Sequence, residues 1–176
     1  MAFPIRFSCF QRIISIGEHK KLRLHPFTPE EMMNSTGHDA DCLFCKLIRG
    51  TMPSFKVYED DFVFACLDRF PITAGHTLVM PKSHHSRLVD LPFDLTAKMF
   101  DVTRRIGRAF YAMNYTGVNY FVNEGSDAGQ VIFHVHCHVI PRRPSDGLDF
   151  RVRRKGLTES DMEDAAGGIR EHMKHD

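Results

Sequence analysis

The segment VIFHVHCHVI, residues 131–140, constrains the fold most, because it places three histidines on alternate positions of an apolar run. Successive side chains of a β-strand point to opposite faces of the sheet. A strand here would bury its apolar side chains and present His134, His136 and His138 on the other face, roughly 7 Å apart. Such a face favours a metal site or histidine chemistry on an anion over an ordinary half-buried strand.

The sequence on either side predicts an α+β domain with one antiparallel sheet and helices on one side of it. A short helix fits DCLFCKLIRG, and apolar residues three and four apart predict a long helix from Pro92 to Met113 with Asp94 as its N-cap. The glycine-containing loop EGSDAGQ should join the last strand before it to the histidine segment as an antiparallel pair. The other predicted strands are KVYED, FVFACLD, GHTLVMPKSH and GVNYFVN.

The composition changes towards both ends of the chain. We expect an N-terminal extension at residues 1–37, one folded domain at 38–143 and a basic, partly helical tail at 144–176. In the tail, Ser160 and Glu163 form a candidate capping box, and Gly167 and Gly168 should interrupt the helix that follows.

Charge and hydropathy argue against several classes of partner. The 176-residue chain has a formal net charge of +1, which gives no support to nucleic-acid binding, and it has no apolar run long enough to span a membrane. Its five cysteines suit reduced thiols or a metal pair better than a disulfide framework. We expect a cytoplasmic protein. Residues 1–25, which are basic with a single acidic residue, leave a mitochondrial or other organellar location as the alternative.

Two kinds of site can be built from these residues. Asn123, the glycines of the loop and Gln130 could surround an anion beside the histidines, since glycine lets backbone N–H groups point inward and amides add donors. Alternatively, a metal could use the C-x-x-C pair Cys42 and Cys45, which needs two more ligands for a tetrahedral zinc. His84 or His85 and His134 are candidates for those ligands, and a catalytic zinc held by all three alternating histidines is the competing geometry.

The segment FVNEGSDAGQVIFHVHCHVIPR resembles the signature of the histidine triad (HIT) family, in which three histidines alternate with apolar residues. The segment CLFCKLIRGTMPSFKVYEDDFVFACLDRFPITAGHTLVMPKSHH resembles the N-terminal half of the zinc-containing, nucleoside-phosphoramidase-like members of that family. The likeness extends from about Asp41 to Arg143. It implies a HIT-like fold: a five-stranded antiparallel sheet, a short N-terminal helix, one long helix, and a homodimer that joins the two sheets.

The resemblance also implies roles for individual residues. His136 would attack the α-phosphorus of a purine nucleotide and form a nucleotidyl-histidine intermediate, and His138 would donate to a phosphate oxygen. Asp68 would bind the ribose and His76 would support the site. The phosphoryl group would be bound by Asn123, Gly129 and Gln130. The ligands of a structural zinc would be Cys42, Cys45, His84 and His134.

One position departs from the pattern of the family. Many phosphoramidase-type relatives have Ser or Thr where Val131 stands, and that hydroxyl assists the leaving group. The absence of this hydroxyl bears on the preference between P–N and P–O–P substrates. The resemblance as a whole implies a hydrolase or nucleotidyl transferase acting on nucleoside phosphoramidates such as adenosine monophosphoramidate. A dinucleoside polyphosphate hydrolase and a non-catalytic nucleotide-binding or scaffold protein remain the alternatives.

Overall fold

The computed structural model describes residues 37–149 and 155–173. Within them, five strands form one antiparallel sheet in the order β1-β2-β3-β5-β4. The strands are β1 (Lys56–Glu59), β2 (Val63–Leu67), β3 (Thr77–Pro81), β4 (Gly117–Val122) and β5 (Cys137–Arg142). The helices are α1 (Leu43–Ile48), α2 (Phe93–Ala112) and α3 (Glu159–His172), with short 3-10 turns at Leu88–Asp90 and Ser126–Ala128. The predicted α+β class and five-stranded antiparallel sheet are confirmed.

The long helix α2 covers one face of the sheet. Its apolar residues recur at helical spacing, so Met99, Val102 and Ile106 form one stripe that packs on the strands. Val63 and Val79 point from β2 and β3 into this layer, and both are fully buried. Helix α2 therefore holds the sheet from one face, and the opposite face can carry functional side chains.

The opposite face is covered at one end by α1, which corrects the expectation that the helices share one side. Phe44 and Cys45 of α1 pack against Phe64, Leu78 and Met80, which alternate along β2 and β3 with the residues under α2. Both faces of β2 and β3 are therefore buried, and this explains why their sequences are apolar at nearly every position.

The structure corrects three local predictions. The N-cap of α2 is Pro92, in extended conformation, while Asp94 lies inside the first turn, where its charge still complements the helix dipole. The capping box of α3 is formed by Thr158 and Asp161, two residues before the predicted pair. Helix α3 runs through Gly167 and Gly168, at a cost of about 1 kcal/mol each relative to alanine that capping and the rest of the helix offset.

The histidine segment is only partly a strand. The ladder of β5 begins at Cys137, which pairs with Val79 of β3 and Val122 of β4. Before it the chain bends, because the N–H of His134 donates to the carbonyl of Ile132 at 2.9 Å. The alternation of the sequence therefore holds for His136 and His138, while His134 is turned away from the face they share.

The predicted extension at residues 1–37 lies almost wholly outside the described residues. Its proposed role as an organellar targeting segment therefore stays a prediction. None of the described helices is long and apolar enough to cross a membrane.

Candidate active site and metal centre

Four side chains converge between α1 and the bend before β5. The Nδ1 atom of His134 lies 3.6 Å from Cys42 Sγ and 3.7 Å from Cys45 Sγ, and the Nδ1 atom of His84 lies 3.5 Å from Cys45 Sγ. Tetrahedral zinc, with Zn–S of about 2.3 Å and Zn–N of about 2.0–2.1 Å, separates sulfur from nitrogen by about 3.6 Å. The four ligand atoms all lie within 4.8 Å of one another, so the donor set and its spacing both fit zinc.

A second contact prepares His134 to act as a ligand. Its Nε2–H donates to the carbonyl of Pro81 at 2.9 Å, which leaves the Nδ1 lone pair facing the two sulfurs. Burial lowers the pKa of His134 to about 4, so the ring is neutral, as a metal ligand must be. Contrary to the competing geometry, the three alternating imidazoles do not meet at one point, since His138 is grouped with Asp68 and His76 instead.

His136 lies next to this cluster, and its ring is 6% exposed. Its Nδ1–H donates to the backbone carbonyl of His134 at 2.7 Å, so Nε2 keeps its lone pair. Burial lowers the pKa of His136 and keeps the ring neutral. The edge of Phe44 packs against it, with ring centroids 4.9 Å apart. This is the arrangement that an imidazole nucleophile requires.

His138 stands beside His136 on β5, with ring centroids 4.8 Å apart, closer than the predicted spacing. Its Nδ1 atom is 2.9 Å from Nε2 of His76, a side chain that is only 1% exposed. Burial lowers the pKa of His76, and it lowers the pKa of His138 to about 4. Asp68, with Oδ2 at 3.4 Å from His76 Nδ1, supplies the negative charge nearest these neutral rings.

The glycine loop that joins β4 to β5 closes on itself through Gln130. The Oε1 atom of Gln130 accepts from the N–H of Gly125 at 2.8 Å, and Nε2 donates to the carbonyls of Ser86 and Ile132 at 2.8 and 3.2 Å. Both amide hydrogens are thus used within the protein. In this conformation the Gln130 side chain shapes the loop, and an anion would meet the loop's backbone.

Asn123 and Gly129 lie together at the two ends of the same loop. Gly129 has a φ of +85°, a left-handed conformation that favours glycine, and the Nδ2 atom of Asn123 is 3.9 Å from the position of a Cβ atom there. A Cβ atom at Gly129 would only reach ordinary van der Waals contact with the Asn123 amide, so the positive φ is what favours glycine there. The structure therefore places both predicted binding residues at one point of the loop.

Sequence reasoning missed the contacts that tie the loop to the metal cluster. Glu124 Oε2 accepts from the N–H groups of Leu88 and Val89 at 2.6 and 3.3 Å, and Val135 N–H donates to the carbonyl of His85 at 2.7 Å. The segment after His84 therefore bridges the cluster and the loop. No spacing in the sequence marks Glu124, because its partners are backbone amides more than 30 residues away.

These features define a class of small α+β proteins in which a glycine loop leads into a histidine run, and a buried, neutral histidine of that run lies beside a Cys2His2 cluster. The chain belongs to the HIT domain family, whose sequence model matches residues 49–145. Two relatives extend the likeness. A HIT-like protein of Borreliella burgdorferi is 45% identical over 118 residues, which cover 65% of this chain and 85% of that protein. Adenylylsulfatase HINT3 of Arabidopsis thaliana is 39% identical over 137 residues, which cover 76% of this chain and 70% of that protein.

Solved structures share the fold. A Zn-bound histidine triad family protein from Mycobacterium smegmatis is 41% identical, with a TM-score of 0.60, over 65% of this chain and 84% of that chain. A histidine triad nucleotide-binding protein from Candida albicans is 28% identical, with a TM-score of 0.69, over 76% of this chain and 98% of that chain. With the Zn-bound neighbour, the buried Cys2His2 cluster supports a structural zinc in this chain.

Proposed function

We propose that the protein is a nucleotide hydrolase or nucleotidyl transferase that acts at the α-phosphate through His136. The observation that carries this proposal is the hydrogen bond from His136 Nδ1–H to the His134 carbonyl at 2.7 Å, which leaves Nε2 as a buried, unprotonated nucleophile. The adenylylsulfatase and the nucleotide-binding protein among its relatives support the same class of substrate.

The proposed reaction has two displacements at phosphorus. Nε2 of His136 forms a bond to the α-phosphorus while the bond to the leaving group breaks. The leaving group departs with the bonding electrons and, where it is an amine, takes a proton from solvent. Water then attacks the same phosphorus, gives up a proton to solvent and releases His136 with a nucleoside monophosphate. The Nδ1–H bond to the His134 carbonyl stabilises the positive charge on the ring in the intermediate.

The remaining residues would bind and orient the substrate. His138 would donate to a phosphate oxygen, and Asn123 with the backbone around Gly129 would hold the phosphoryl group. Gln130 would act by keeping the loop closed, because its side chain is already bonded to Ser86 and Ile132. Asp68 would accept from the ribose hydroxyls through its carboxylate.

We further propose Cys42, Cys45, His84 and His134 as the ligands of the structural zinc. When bound, the metal would join α1 to the bend before β5 and so hold the carbonyl that orients His136. It would take no part in bond breaking at phosphorus. Residues 38–143 would form the folded unit, and two copies would associate as a homodimer.

A substrate panel tests the proposal. The full-length, zinc-loaded protein is incubated separately with adenosine monophosphoramidate and with a diadenosine polyphosphate, and release of AMP is followed. We expect turnover by wild type and none by His136→Ala, while His172→Ala, on the exposed surface of α3, should match wild type. Release of AMP by His136→Ala at the wild-type rate would rule out the nucleophile.

Val131 keeps a second candidate open. Its side chain is apolar and 87% exposed, so it provides no hydroxyl to assist a leaving group. An amine leaving group needs a proton, whereas a polyphosphate leaves as a stabilised anion. Turnover of only the diadenosine polyphosphate would assign the dinucleoside polyphosphate branch. Nucleotide binding without turnover of either compound would assign a non-catalytic protein.

A further inference from the structure

His138 has to present an N–H group to the substrate, yet a neutral imidazole carries only one. Its Nδ1 atom faces Nε2 of His76 at 2.9 Å, and one proton must lie between these two nitrogens. If that proton belonged to His138, its Nε2 atom would offer a lone pair to the phosphate oxygens and repel them. The position of a single proton therefore decides whether His138 binds an anion.

The backbone N–H of Ile72 determines which of the two rings carries this proton. Its N–H points at Nδ1 of His76 at 3.2 Å, and because a backbone N–H can only donate, Nδ1 must be the acceptor. The proton of neutral His76 then sits on Nε2 and is donated to Nδ1 of His138. The proton of His138 is consequently on Nε2, the atom left to face a substrate.

The surrounding structure holds His76 in this role. The loop that carries Ile72 is closed at its base by Asp68 N–H, which donates to the carbonyl of His76 at 2.9 Å, and His76 N–H donates to the carbonyl of Thr73 at 3.0 Å. Asp68 Oδ1 accepts from the N–H of Phe70 at 2.9 Å. Asp68 Oδ2 lies 3.4 Å from His76 Nδ1 without a hydrogen bond between them, so the Ile72 N–H is the hydrogen-bond partner of Nδ1. Since the ring of His76 is 1% exposed, water cannot replace the Ile72 contact.

We propose that His76 is a positioning residue. Because its Nδ1 accepts from the Ile72 N–H, its Nε2–H donates to Nδ1 of His138 and fixes the His138 tautomer as Nε2–H. The kinetic consequence rests on the proposed function, because it requires His138 to contact a phosphoryl group. The tautomer itself does not, and it can be measured without any substrate.

The first test is nuclear magnetic resonance of the full-length, zinc-loaded protein labelled with 15N-histidine, which reads the protonation of each ring nitrogen. In wild type we expect His138 to carry its proton on Nε2 and His76 on Nε2. In His76→Phe, which fills the space without a donor, His138 should become a mixture of tautomers. A wild-type His138 protonated on Nδ1, or a His138 tautomer unchanged in His76→Phe, would overturn the proposal.

His76→Gln serves as the conservative variant, because an amide can accept from Ile72 and donate to His138. It should keep the His138 tautomer and most of the activity, while His76→Phe should lose about 100-fold in kcat with a smaller change in KM. A merely structural role predicts equal losses in both variants. If His76→Phe does not fold, the spectra of wild type and His76→Gln still decide the outcome.

A backbone variant tests the origin of the effect. Ile72→Pro removes the N–H, whereas Ile72→Ala keeps it, and both truncate a side chain that is 47% exposed. We expect the His138 tautomer to change in the proline variant alone. If no compound is turned over by wild type, the proposed function fails, but these spectra still confirm or refute the role of His76.

Discussion

Three histidines of one short run have three different sets of partners, and in each case the partner of one ring nitrogen sets the role of the other. The carbonyl of Pro81 takes the Nε2–H of His134 and directs its Nδ1 to the cysteines. The carbonyl of His134 accepts the Nδ1–H of His136 and leaves the lone pair on its Nε2. His76 faces Nδ1 of His138. The three histidines look equivalent in the sequence, but a single hydrogen bond to each ring gives it a different role.

At this scale the sequence predicted which residues come together better than how they are arranged. The C-x-x-C pair lies in one cluster with His84 and His134, and Asp68 lies in a second with His76 and His138. His136 belongs to neither cluster, but it bonds to the His134 carbonyl and its ring contacts that of His138. The bend at Ile132 could not be foreseen. Apolar and polar residues alternate in the sequence whether or not the segment forms hydrogen bonds with a neighbouring strand. The hydrogen bond from the Gln130 side-chain amide to the carbonyl of Ser86 could not be foreseen either, because Ser86 is 44 residues away in the sequence.

The metal cluster gives a prediction at the residue scale. Cys42→Ala should abolish bound zinc in the purified protein, measured by elemental analysis, and should lower the melting temperature, since metal binding contributes to folding. Cys66→Ala is the matched control, because Cys66 is equally a buried free cysteine but lies outside the cluster. Full zinc occupancy in Cys42→Ala would contradict the ligand assignment.

At the scale of elements, the site depends on how the segment around the first 3-10 turn, Leu88–Asp90, holds the glycine loop. Glu124 caps that turn, Gln130 reaches Ser86, and Val135 bonds to His85. Local patterns located the helices and strands within a few residues, except for the start of β5, which lies six residues after the start of the predicted strand. They succeed elsewhere because amphipathic spacing and turn residues act over short distances. They could not reveal these contacts between distant segments, in which Glu124 and Gln130 join a side chain to the backbone and Val135 joins backbone to backbone.

A substitution at Glu124 tests whether these contacts hold the glycine loop. Glu124→Ala leaves the N–H groups of Leu88 and Val89 without their acceptor, and each such loss costs about 1–3 kcal/mol when the group is shielded from water. We expect lower stability and faster amide hydrogen exchange at residues 86–90 and 125–130, read by mass spectrometry. Glu163→Ala, on the exposed surface of α3, is the control. Equal hydrogen exchange in both variants would refute the role of Glu124 in holding the loop.

At the scale of the whole molecule, a set of buried neutral histidines makes folding sensitive to acid. Burial lowers the pKa of His138 to about 4 from an ordinary value of 6.5. Between these values the unfolded chain binds the proton and the folded chain does not, so stability falls as pH drops from 6.5 to 4. Above pH 6.5 the ring is neutral in both states, and it contributes no pH dependence there.

Chemical denaturation at several pH values between 4 and 7 measures this effect. His138→Gln should flatten the dependence of the unfolding free energy on pH in that window, by up to about 1.4 kcal/mol per pH unit, the value for one proton. His172→Gln removes an exposed ring and should leave the dependence as in wild type. An unchanged slope in His138→Gln would show that this ring is not held neutral.

The two edges of the sheet differ in a way that bears on assembly. Strand β1 has four residues, an irregular register between Lys56 and Tyr58, and a lysine, features that protect an edge from pairing. Strand β4 has six residues, GVNYFV, with no charge. An uncharged edge of this length is a template for a second strand, so the proposed homodimer would join two sheets through β4.

Light scattering coupled to size-exclusion chromatography should give twice the mass of the 20.2 kDa chain. Tyr120→Lys places a charge on β4 and should shift the protein towards monomer, because two lysines would approach each other across a symmetric pair of edges. Val57→Lys is the matched control, since both side chains are 46% exposed and Val57 lies on β1. A shift to monomer in Val57→Lys alone would place the interface at β1. A monomeric wild type would refute the dimer.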